Sequence, residues 1–245
     1  MFDVRHNIRD FERGLSDLGR KQLPWAFADA LTLTAESVVK ANKRGMQQVF
    51  DRPTRWTLNA FWRTKATPRR LRSEVKRKSA IGRRHYLEVQ ETGGVGPPTG
   101  MELAFRFRLP YAGQVGNVTP AARAPRDAFG NLARSEISRI FSQVQASQDS
   151  SANETSRSRA RRKKRGGATY FVPAPGQLSP GVWRRQGKSL KPVLHFQTAP
   201  RTYRPRLGFY ARAEKVAAKM FPKHLARRFD EKMARAMSKA GGARR

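Results

Sequence analysis

No cysteine occurs among the 245 residues, which excludes disulfides, thiolate metal sites and thiol nucleophiles. Acids are also scarce: 18 Asp and Glu stand against 51 Lys and Arg, a formal net charge of +33. A magnesium-dependent nuclease needs clustered carboxylates, and the closest pair, Asp230-Glu231, is adjacent on an expected helix and so diverges. His6, His85, His195 and His224 form no metal-binding pair, and ordinary packing or surface roles are expected for them. Gly93-Gly94-Val95-Gly96 lacks the Lys-Ser/Thr of a phosphate-binding loop and reads as a turn. No apolar run approaches the roughly 20 residues that span a bilayer, and 1–10 has no signal-peptide core. Zinc-finger spacing, a basic zipper and an aromatic RNA-recognition motif are all missing. The expectation is a soluble, non-enzymatic protein without cofactor or metal.

What remains is enough to fold. Hydrophobic residues make up 38% of the chain and aromatics 9%, which supports a packed core. From Pro24 onward, Phe27, Leu31, Ala35, Val38, Asn42, Met46 and Val49 recur every three or four positions. That spacing predicts a helix to about Phe50, about 40 Å long. Lys40, Lys43 and Arg44 fall off its apolar stripe. A shorter helix with Phe11, Leu15 and Leu18 inward is expected before it. Strands are predicted at 57–62 and 71–77, and a short helix over 82–91 with Tyr86, Leu87 and Gln90 inward. Residues 104–125 read as a loop. A turn at 127–131 leads into a helix whose inner face is Leu132, Ile137, Ile140, Phe141 and Val144.

Composition shifts at 145–167, which is rich in Ser, Gln, Asn and Arg and poor in apolar side chains. This stretch reads as a flexible basic arm. Three short strands follow, at 170–172, 181–185 and 191–197. The chain closes in helix, with Leu225, Phe229, Met233 and Met237 as an apolar stripe; Pro222 either kinks one helix or starts a second. The fold expected is α+β: a small mixed or antiparallel sheet flanked by the long N-terminal and the C-terminal helices. Residues 1–144 and 168–245 would share one core, with the arm 145–167 inserted.

Fifteen Lys and Arg residues and no acid lie between Glu154 and Glu214. Seven of them are Arg157, Arg159, Arg161, Arg162, Lys163, Lys164 and Arg165, and Arg184, Arg185 and Lys188 follow on expected strands and turns. One-signed charge on a folded surface calls for a polyanion, since each cation that neutralises a phosphate releases a condensed counterion. These ten residues are the candidate nucleic-acid contacts. They would grip phosphates rather than read bases. Such an excess of cations also predicts a homo-oligomer, in which neighbours or DNA supply compensation.

The order of motifs carries a resemblance. The long helix is followed by Phe50-Asp51-Arg52-Pro53-Thr54, Trp56-Thr57-Leu58-Asn59, Lys65-Ala66-Thr67, the stretch 71–78, Tyr86-Leu87 and Gly93-Gly94. Then come Asp127 with Gly130-Asn131, Gly181-Val182-Trp183-Arg184-Arg185, Lys191-Pro192-Val193-Leu194-His195-Phe196, and Tyr203-Arg204-Pro205-Arg206-Leu207. From about Leu23 to Met237 this resembles the minor tail protein Z, or tail-completion, family of tailed bacteriophages. The resemblance implies a non-enzymatic virion protein of the tail or neck, assembled in the host cytoplasm. It implies a homo-oligomeric ring around a channel for double-stranded viral DNA. The partners it implies are tail terminator, tail tube, tape-measure or portal and connector proteins. The competing expectation, from composition alone, is a free ribosome- or nucleoid-associated nucleic-acid-binding protein.

Overall fold

The computed structural model describes residues 22–78, 86–109, 111 and 114–242. The expected helix around Phe11, Leu15 and Leu18 lies outside these residues, as does the Met237 side chain. The fold is α+β, with a long helix at each end and antiparallel strand pairing throughout the described residues. By packing, the described residues of Met1–Arg83 and Leu207–Arg245 make one unit, and those of Arg84–Arg206 a second. This division differs from the boundaries expected at 144 and 167, both of which fall inside the second unit.

The first unit is built on helix α1 (Leu23–Val49) and helix α7 (Phe209–Gly242). Pro24 suits the first turn of α1, where its missing N–H is no loss. Small residues (Ala26, Ala30, Ala35 and Gly45) are buried along α1, and they let α7 lie close. The helices run antiparallel: Phe27 meets Phe221 with ring centroids 6.3 Å apart, and Arg212 reaches Asn42 near the other end of α1 at 3.0 Å. Pro222 sits inside α7, so the tail is one continuous helix rather than two. Lys40, Lys43 and Arg44 are exposed, as their position off the stripe predicts. Phe229, expected on a buried stripe, is 40% exposed. A spacing of four marks one side of a helix without saying that anything covers it.

The expected strand at 57–62 is instead a single helical turn, α2 (Arg55–Leu58), before β1 (Phe61–Arg63). Thr54 explains the difference: its hydroxyl accepts from the Thr57 amide at 3.2 Å and caps that turn. β1 pairs antiparallel with β2 (Val75–Arg77), so only the end of the expected 71–77 strand forms. Phe61 stacks on Phe209 at 4.6 Å, which ties this hairpin to α7.

The second unit begins with α3 (Tyr86–Thr92), whose Leu87 and Gln90 are buried as expected. Gly93, at φ 77°, ends it, and β3 (Gly94–Val95) follows. The loop expected at 104–125 is corrected by helix α4 (Gly100–Arg108) and strand β4 (Asn117–Pro120). Thr99 and Glu102 close a reciprocal capping box at the start of α4, and Phe105 is fully buried. Helix α5 (Arg134–Gln143) buries Ile140 and packs Ile137, Phe141 and Val144 against the same core.

The expected flexible arm is also corrected. It contains a 3-10 turn (Ser150–Ala152) and helix α6 (Ser156–Lys164). Ala146 is fully buried in the core, and the Glu154 amide donates to Ser142 O at 3.0 Å. Polar composition misled because this segment is held by hydrogen bonds and caps instead of apolar burial. Beyond it, β5 (Thr169–Phe171), β6 (Gly181–Gln186) and β7 (Ser189–Gln197) form with β4 a four-stranded antiparallel sheet in the order β4-β7-β6-β5. Phe105 stacks on Phe141 at 5.1 Å and meets Phe196 at 5.4 Å, so α4 and α5 cover one face of this sheet. β8 (Thr202–Tyr203) pairs with β3.

Candidate nucleic-acid interface

Helix α6 has no buried residue and an unbroken row of cations in its last turn, from Arg161 to Lys164. Two local devices let it form. Thr155 caps the start by accepting from the Ser158 amide at 3.2 Å, and cations at the C-terminal turn complement the helix dipole. At about 100° per residue the cations separate by face. Arg157, Arg161 and Lys164 share the outer side with Arg165 just beyond, and all four are exposed. None of the four has an acidic partner among the described residues.

Arg159, Arg162 and Lys163 point the other way, into a cleft of about 830 Å³. Its remaining wall includes Arg108 from the end of α4, Phe171 from β5 and Arg185 from β6. The Arg185 guanidinium lies 5.3 Å from the Phe171 ring centroid, a cation–π contact that keeps the charge at the cleft edge. Glu154 is the single carboxylate among the described lining residues, against five Lys and Arg. Arg162 grips it with Nε at 2.7 Å from Oε1 and a terminal nitrogen at 3.0 Å from Oε2. The Arg162 hydrogen bond holds the Glu154 carboxyl below the usual glutamate range, against burial that raises it; the Arg162 and Arg159 charges lower it further.

The ten expected contacts thus divide. Arg162 also donates to Ala168 O at 3.1 Å, so its guanidinium is a staple within the protein and positions the helix. Arg159, Lys163 and Arg185 come together at the cleft. Arg157, Arg161, Lys164 and Arg165 form the outer face, and Lys188 is exposed in the β6–β7 turn. Arg184 is half-buried and projects to the opposite side of β6 from Arg185. Sequence reasoning misses Arg108, because 104–125 looks like a loop. The Thr99-x-x-Glu102 capping pattern is the signal that could have placed Arg108 at a helix end.

Other cations of the acid-free run serve the fold. Arg201 reaches Glu102 Oε1 at 3.0 Å and Asn117 Oδ1 at 2.8 Å, and Arg206 donates to Gln90 Oε1 at 2.7 Å. Among the described residues no group of three or more His, Asp or Glu could hold a metal ion. Ser37 Oγ lies 3.1 Å from His224 Nε2, but the hydroxyl also donates to Leu33 O at 2.9 Å, which fits a helix-packing contact.

Fold and site together define an α+β protein with a cation-rich helix laid beside an antiparallel sheet. Comparison with family models, curated proteins and solved structures gives no match for this chain. Among the described residues, no helix is long and apolar enough to cross a membrane.

Proposed function

We propose that the chain is a non-enzymatic bacteriophage virion protein, a tail-completion or head–tail joining component that touches packaged DNA through its phosphates. The observation that carries DNA contact is α6: four exposed cations on one face with no acid paired to them among the described residues, beside a cleft with a five-to-one excess of positive charge. Such a surface repels itself and is relieved by a polyanion. With no groove-reading helix of mixed polar character among the described residues, the contacts go to backbone and carry no sequence preference.

The virion part of the reading rests on the order of motifs along the chain. Several of them are architectural here: Thr54 caps a helical turn, Gly93 ends α3, and Asp127 accepts from the Phe129 and Asn131 amides, each at 2.9 Å. A homo-oligomeric ring around the DNA channel is supported by large apolar side chains left exposed, among them Trp25, Trp62 and Phe107. Two measurements test the proposal. Duplex DNA binding should weaken steeply with salt and show no sequence preference, and antibody labelling of purified particles should mark the tail or neck. DNA binding by a protein absent from particles would replace this reading with a free nucleic-acid-binding protein.

A further inference from the structure

Strands β6 and β7 are joined by a tight hairpin in which Arg184 stands directly opposite Lys191, and Gln186 opposite Ser189. Strand alternation puts all four side chains on one face, the face opposite Arg185 and the cleft. Like charges placed directly across a strand pair destabilise it. Neither Arg184 nor Lys191 has a carboxylate within ion-pair distance among the described residues. On the far side of Arg184, Tyr170 of β5 is its cross-strand neighbour. The Tyr170 hydroxyl donates to Glu136, whose other oxygen is 3.7 Å from Arg139. That acid is therefore already engaged.

The side chains are arranged as donors. Arg184 gives one hydrogen bond to Gln186 Oε1 at 2.7 Å, which fixes the guanidinium and leaves the Gln186 amide nitrogen free to donate. Arg184 Nε is buried and has no hydrogen-bond partner. A buried, unsatisfied charged donor is unfavourable, and it adds to the cost of the uncompensated cation on this strand. The four residues line a hollow of about 200 Å³, and between them they carry a guanidinium, an amide, a hydroxyl and an ammonium, each with N–H or O–H groups to donate.

We propose that this hairpin face is an oxyanion site that takes one phosphate group, held by Arg184 and Lys191 with Gln186 and Ser189 as hydrogen-bond donors. It goes beyond the DNA reading above, because the chemistry is that of phosphate oxygens whether they belong to free orthophosphate or to a backbone diester.

The test uses the full chain and inorganic phosphate, titrated calorimetrically at constant ionic strength. Arg184→Gln or Lys191→Gln should each weaken binding at least tenfold, while Lys215→Gln and Lys219→Gln, which remove the same charge from exposed positions on α7, should change it less than twofold. Lys191→Gln should also raise Tm in phosphate-free buffer, by removing the cross-strand repulsion. Phosphate should raise the Tm of the unaltered protein but not of that variant. Equal weakening by all four variants, or no saturable binding, overturns the site.

A parallel arm measures duplex DNA. If a backbone diester occupies the site, Lys191→Gln makes the slope of log K against log salt less negative by about 0.9. An unchanged slope with phosphate binding intact identifies free phosphate as the ligand and leaves the site standing. Loss of the phosphate site with DNA binding retained overturns this inference and leaves the proposed function intact.

Discussion

Arg162 and Glu154 form a two-point grip, with nitrogens at 2.7 and 3.0 Å from the two carboxylate oxygens. The pair closes the base of α6: Glu154 lies one residue before the capping Thr155, and Arg162 lies in the last turn. A helix with no buried apolar face is therefore anchored at both ends, by Glu154 paired with Arg162 and, at 3.6 Å, with Arg159, and by one cap.

Removing either partner should loosen α6. Arg162→Ala leaves Glu154 without its main donor, and about 1–3 kcal/mol of stability should go with it. Glu154→Gln should cost less, because the amide still accepts from Arg162. Urea unfolding of the two variants checks the order. The grip is also pH-sensitive. The folded carboxyl titrates below its ordinary value, so the stabilisation is full above the glutamate range and fades as pH falls through the folded value. The protection factors of the α6 amides in native-state hydrogen exchange, taken relative to the intrinsic rate at each pH, should fall on acidification in the unaltered protein and less so in Arg162→Ala.

The outer face of α6 should behave differently. Replacing Arg157, Arg161, Lys164 and Arg165 with Ser leaves the grip intact, so the fold should survive. For every phosphate that this face no longer neutralises, the salt slope of duplex binding should fall by about 0.9. An unchanged slope would mean that this face meets something other than DNA.

Core and surface aromatics separate sharply. Phe105 has 0% exposure, stacks on Phe141 and meets Phe196 at a tilt, and Phe105→Ala should cost about 3–5 kcal/mol. Phe229, at 40% exposure, should cost about 1 kcal/mol when cut to alanine. Denaturant melts of the two variants check the contrast.

Gly181 is a close-approach position. A Cβ there would collide with the carbonyl oxygen of Leu194 on the neighbouring strand, beside the register shift at Val182/Trp183. Gly181→Ala should therefore cost about 1–3 kcal/mol as the strands part. A melt indistinguishable from the unaltered protein would show that the hairpin absorbs the methyl group.

His224 supplies a second pH effect. Burial, and after it the Arg227 and Arg228 charges, hold its pKa below the ordinary histidine value. A base whose folded pKa is lowered resists protonation in the native state, so stability is complete above pH 6.5 and declines as pH falls below it. Tm should drop between pH 7.5 and 5.5, and His224→Gln should drop less.

The sequence alone settled what periodicity and punctuation encode. Every-third-or-fourth apolar spacing marked α1, α5 and most of α7, and β6 and β7 were visible as short β-rich runs between turns. The Asp127 turn and the Gly93 stop were legible because only certain side chains and glycine satisfy those backbones. Net charge, too, is a property of composition, and the concentration of cations after Glu154 needed no coordinates.

Tertiary structure decided the rest, because burial and pairing depend on what lies opposite. Phe229 fits a helical stripe, yet nothing in its spacing reveals whether another surface covers it. α6 contradicts its own composition, since one carboxylate shared by two arginines and a threonine cap order a segment that carries no apolar face. Arg162 and Arg161 are neighbours of like charge, and only the fold makes one a staple for Glu154 and the other an open cation. Arg184 and Lys191 are seven positions apart in the chain, and the hairpin register sets them face to face.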